Sequence, residues 1–117
     1  MTPPSNDGLP EVSGALTRLI ERQLTRLEPW WVLDDSAARE RRKGLGARYP
    51  GRSLVPFARR EDNDDVACFD LDTPGVVVVI HDFANDAWDR RRVYDDFYAW
   101  LRQAVEDMIE FDRLEEA

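Results

Sequence analysis

The chain has 117 residues, 43% apolar and 10% aromatic, with 24 acidic against 16 basic side chains and a formal charge of −8. This length suits one domain, and the apolar share suits a packed core rather than a disordered segment. The acidity repels phosphate backbones and anionic lipid, so the partners expected exclude nucleic acid and membrane and favour a basic protein.

Residues 1–8 are rich in Pro, Ser, Asn, Asp and Gly and are expected to fray. The opening stretch has neither a basic n-region nor an apolar h-region, so no secretory leader is expected. The longest apolar run, 76–80, is too short to cross a bilayer, and a cytoplasmic location is the expectation. From Pro10 onward, Val12, Leu16, Leu19, Ile20, Leu24 and Leu27 recur at three- and four-residue steps. The spacing predicts an amphipathic helix of about five turns, ended by Pro29. Trp30 and Trp31 open a short strand or an apolar loop; neighbours on a strand face opposite ways, so one of the two is left partly exposed. A second helix is predicted over about 36–43, capped by Asp35 or Ser36 and stopped by Gly44.

Leu54, Val55 and Phe57 look like strand residues, but Pro56 among them confines the segment to a sheet edge or an extended stretch. Residues 66–71 alternate as a strand, 72–75 (DTPG) form a turn, and 76–80 are apolar and largely β-branched. Together they predict an antiparallel hairpin whose second strand is central. The last helix takes its stripe from Val93, Phe97, Leu101, Ala104, Val105 and Met108, widened by Tyr94, Tyr98, Trp100 and Ile109. Asp95 and Asp96 sit in or near its first turn, where the helix dipole favours negative charge. Residues 113–117 are expected to fray. The sum is one α+β domain over 9–112. A small antiparallel sheet of three to five strands carries the N-terminal and C-terminal helices on one face.

Candidate chemistry is sparse. The acidic burst at 61–65 (EDNDD) brings Asp62, Asp64 and Asp65 to the start of a strand. A calcium loop needs acids at positions 1, 3 and 5, Gly at 6 and Glu at 12. Counting from Asp62 puts Ala67 at 6 and Thr73 at 12; counting from Asp70 puts Pro74 at 5 and His81 at 12. Neither register closes, so no metal site of this kind is expected. A solvated turn, a protein-contact surface and a looser divalent site built from Asp62, Asp64 and Asp65 remain. Cys68 is the single cysteine, so no intrachain disulfide forms; it reads as a small buried hydrophobe, with a pairing to His81 across the hairpin left open. His81 and Asp82 are adjacent and would face apart on a strand. The G-x-G at 44–46 follows no strand of a βαβ unit, and the basic runs at 39–43 and 90–92 read as solvated faces. No catalytic residue and no cofactor are expected. The candidate partner contacts are Asp62, Asp64, Asp65, Asp72, Trp31 and His81.

The stretches VPFA at 55–58, CFD at 68–70 and F-x-x-W-L at 97–101, in that order and spacing, resemble the SUKH superfamily, which takes in a yeast cell-wall-synthesis regulator and many bacterial immunity proteins. The likeness covers 54–111. The first half departs from it: the family's usual Leu-Pro, aromatic-rich helix and Asn-Gly turn give way to EPWWVLDDSAARERRKGLGARYPG. The resemblance implies an α+β fold and a non-catalytic binding protein, commonly the immunity partner of a toxin. The alternatives are a regulatory or adaptor domain without a toxin, or a small carboxylate-dependent hydrolase or metal-binding protein.

Overall fold

The computed structural model describes residues 10–81 and 89–116. The fraying expected of residues 1–8, and Asp82, lie outside the described residues. The elements in order are α1 (Pro10–Glu21), β1 (Arg26–Leu27), β2 (Trp30–Val32), α2 (Asp35–Arg48), β3 (Leu54–Arg60), β4 (Asp65–Asp70), β5 (Val77–His81), β6 (Asp89–Tyr94) and α3 (Phe97–Glu116). The strands pair only with their sequence neighbours, all antiparallel, in the order β1-β2-β3-β4-β5-β6. No described helix is long and apolar enough to cross a membrane.

Six strands replace the three to five expected, because the apolar spacing hides two of them. Helix α1 stops at Glu21, not Pro29. Gln23 adopts φ 60°, and the Gln23 and Leu24 amides turn back onto the Ile20 and Leu19 carbonyls, a left-handed helix end. Leu27 then belongs to β1. At the other end, Val93 and Tyr94 close β6; α3 begins at Phe97, where Asp96 caps it by accepting the Ala99 amide at 2.8 Å. Helix α3 runs to Glu116.

Helix α2 runs through Gly44 and Gly46 to Arg48. Each glycine costs about 1 kcal/mol in a helix interior, and tertiary contact offsets it: Leu45 and Tyr49 are buried against Leu54, Val66, Cys68, Val78 and Ile80. Its N-cap is Asp34, whose carboxylate accepts the Ala37 amide at 2.8 Å, one residue ahead of the expected caps.

Both faces of the sheet are therefore covered, not one. Helices α1 and α3 lie on the first face, over Trp30, Phe57, Ala58, Ala67, Phe69, Val77 and Val79; α2 lies on the second. Two-sided cover explains why all six residues of β4 are buried. The core of the first face is aromatic: Phe57 stacks on Phe69 at 4.5 Å, and Trp100 meets Phe57 edge-on at 4.8 Å.

Strand β3 is central, not an edge, although it contains Pro56. The register against β4 shifts between Pro56 and Ala58, and at such a bulge the missing amide breaks no regular ladder bond. The bulge also lets the adjacent Phe57 and Ala58 both pack on the first-face core. The β4–β5 link is a type II turn by sequence and bonding: Pro74 sits second, Gly75 third with φ 89°, and the Val76 amide donates to the Thr73 carbonyl at 3.0 Å.

Candidate functional site

The registers set four polar side chains in one row at one end of the sheet. Trp30 faces Arg60 and Asp65 faces His81, while the Arg59–Val66 pair makes Arg60 the lateral neighbour of Asp65. The row lies on the face covered by α3. Asp107 of α3 reaches down to it and is the hub. Its Oδ2 accepts from Trp30 Nε1 at 2.9 Å and pairs with Arg60 Nη1 at 3.4 Å, and its Oδ1 accepts from Gln103 Nε2 at 2.9 Å. Arg60 also grips Asp62, with Nε to Oδ1 at 2.8 Å and Nη2 to Oδ2 at 3.2 Å, and its guanidinium lies 5.9 Å from the Trp30 ring centre. His81 Nδ1 lies 3.2 Å from Asp65 Oδ1, with Asp65 buried. Arg92 of β6 is raised above its ordinary value, first by its bond with Tyr94 and further by the nearby charges of Asp107 and Asp65.

The β3–β4 turn is held from within. Asn63 Oδ1 accepts the Asp65 amide at 2.8 Å, which fixes the turn and leaves Asp62 and Asp64 on the outside. Beside it stands a crowded carboxylate group. Glu28 is raised from 4.5, chiefly because its side chain shares a hydrogen bond with Glu61; repulsion from Glu61 and Glu115 adds to this, and Arg26 opposes it. The acidic turn thus adjoins the β1–β2 turn and the end of α3.

The six residues singled out by sequence fall in three places. Asp62, Asp64, Asp65 and His81 share the end just described. Asp72 lies in the β4–β5 turn at the other end, where its amide donates to Asp70 Oδ1 at 3.0 Å. Trp31 sits on the α2 face, opposite Trp30, with the Arg26 guanidinium 4.5 Å from its ring centre. The pairing of Cys68 with His81 does not occur: Cys68 is fully buried on the α2 face, while His81 faces the other way. Among the described residues no group of three or more His, Cys, Asp or Glu could hold a metal ion.

Asp107 escaped the sequence reading, though its position carried a signal. It follows Trp100 and Ala104 at the inward i, i+4, i+7 positions of α3, where a carboxylate needs a buried donor. Arg60 escaped because β3 runs past Ala58. Chemically, the Asp65–His81 pair can hold or pass a proton, but its neighbours Asp62 and Asp107 are occupied in binding Arg60, Trp30 and Gln103. No family model, no curated protein and no solved structure matches the chain.

Proposed function

We propose that the chain is a non-catalytic protein-binding module, a SUKH-like immunity protein that neutralises a basic toxin domain inside the cell. The observation that carries this reading is the crowding of Glu28 with Glu61 and Glu115 beside the outward Asp62 and Asp64. A carboxylate such as Glu28, held above its ordinary value beside Glu61 and Glu115, is poorly stabilised by its own protein. Arginines or lysines brought by a partner would relieve that repulsion, and relief on binding adds directly to affinity and to encounter rate. The turn that presents them is already fixed by Asn63 and Arg60, so little ordering is lost on docking. Asp65 and His81 then support the surface from beneath, while Asp72 and Trp31 lie outside it. An adaptor without a toxin would use the same surface and differ only in its partner.

A second reading, a small carboxylate-dependent hydrolase, draws on the Asp65–His81 pair. One experiment separates them. The partner is captured on the immobilised chain from its own organism and identified by mass spectrometry, and its association is then followed by surface plasmon resonance. The Asp62→Asn, Asp64→Asn, Glu28→Gln variant should associate more slowly and with a flatter dependence on salt. An unchanged on-rate and salt slope would move the partner off this surface. Ester or phosphodiester turnover abolished by His81→Ala would favour the enzyme.

A further inference from the structure

Charge is divided unevenly along the chain. Residues 26–60 hold nine Lys and Arg against four Asp and Glu, whereas 61–117 hold five against seventeen. The registers turn that asymmetry into a surface. Arg26 faces Trp31, and Trp31 faces Arg59, so the three form one row across β1, β2 and β3 on the α2 face. Arg26 and Arg59 are exposed, and Trp31 is half-buried beneath the Arg26 guanidinium. Its indole Nε1 is buried and has no hydrogen-bond partner among the described residues. Helix α2 covers the middle of the same face, and Arg39 and Lys43, four residues apart, are exposed along it.

We propose that this face docks a short acidic polypeptide segment, with Arg26 and Arg59 on either side of Trp31 as its anion contacts and the exposed Arg39 and Lys43 of α2 adding to the positive potential of the face. The charges are complementary, and Arg26 is already held against the ring, so its guanidinium offers a preset fork for a carboxylate. A polypeptide fits better than a nucleic acid because of what surrounds the patch. Glu28 stands beside Arg26, and the molecule as a whole carries −8 on a body only 42 × 40 × 26 Å across. A long polyanion leaving the patch soon meets that acidity, and a short acidic segment does not. Glu28 borders both surfaces, so Asp64→Asn on the acidic turn and Arg59→Glu on the α2 face, each confined to one surface, tell the two proposals apart.

The test is fluorescence anisotropy of a fluorescein-labelled peptide of Glu and Asp with one Phe, titrated with the full chain at low and high salt. Binding should saturate, weaken with salt, and fall by about tenfold or more in Arg26→Glu, Arg59→Glu. Arg26→Lys, Arg59→Lys should keep most of the salt-sensitive attraction, and Asp64→Asn should change nothing. Should the double reversal not fold by circular dichroism, Arg39→Glu, Lys43→Glu on the outer side of α2 replaces it. Any one of three results overturns the proposal: no saturable binding, binding that survives the charge reversals, or tighter binding of a single-stranded DNA of equal charge.

Discussion

Replacing Trp100 with alanine removes the largest fully buried side chain among the described residues. Trp100 is 1% exposed and meets three rings: Trp30 edge-on at 5.5 Å, Phe57 edge-on at 4.8 Å and Phe97 tilted at 5.6 Å. Truncating a buried Phe or Trp costs about 3–5 kcal/mol, and the loss of three aromatic contacts argues for the upper part of that range. An unfolding entropy of about 2.1 cal/mol/K per residue converts 1 kcal/mol to roughly 4 °C for a chain of this length. The expected fall in Tm is therefore about 16–20 °C. Differential scanning calorimetry reads it directly, and Leu114→Ala is the control on the same helix. Leu114 is 72% exposed and should move Tm by no more than about 2 °C, within the range for surface changes. A Trp100→Ala shift as small as the control's would refute the packing of α3 on the aromatic core.

Phe97→Ala should cost about 3–5 kcal/mol, whereas Leu101→Ala, at a half-buried position, should cost less, as chemical denaturation of the pair would show. Cys68 should stay unreactive to a thiol reagent in the native protein and react fully in denaturant; prompt native labelling would contradict its place between α2 and the sheet. Glu28 binds its proton more tightly in the folded state, so it stabilises most when protonated, and that contribution is lost as pH rises through its raised value. Glu28→Gln should thus melt higher than wild type at neutral pH, with the gap closing as pH falls towards 4.5; a gap that persists there would show that charge is not its cause.

Much of the fold was legible wherever local pattern and tertiary need agree. The hairpin of β4 and β5 follows from two apolar runs around Thr73-Pro74-Gly75-Val76, a sequence that can hardly do anything but turn. The inward stripe of α3 follows from Phe97, Trp100 and Ala104. The readings failed where periodicity continued past a backbone event that it does not encode. Leu24 and Leu27 keep the helical beat of α1, yet Gln23 has already left it. Val93 and Tyr94 keep the beat of α3 in advance, yet pair with Val78 and Val77 in β6. Pro56 signals an edge by its missing amide, but a bulge removes the need for that amide. In α2 the two glycines signal a stop that burial of Leu45 and Tyr49 overrides.

The site was less legible than the fold, and the stretches that carry the family resemblance explain why. Pro56 stands opposite Cys68 in the β3–β4 ladder, and Val55 opposite Phe69. Phe57 stacks on Phe69, and Phe97 and Trp100 close over Phe57 from α3. The last residue of the second stretch, Asp70, bonds the Asp72 amide and Arg52. These residues build the core and fasten its turns, so a likeness that rests on them bears on architecture and says little about what the surface meets. Partner choice belongs to the charges standing outside that core: Asp62, Asp64 and the crowded Glu28 at one end, Arg26 and Arg59 across the other face. Their meaning depends on which strands lie side by side. Glu28 and Glu61 are distant in sequence and come together only because β2 lies against β3, and Arg26 reaches Trp31 only across the β1–β2 turn. Function here is written in cross-strand neighbours, which a one-dimensional pattern leaves unstated until the register is known.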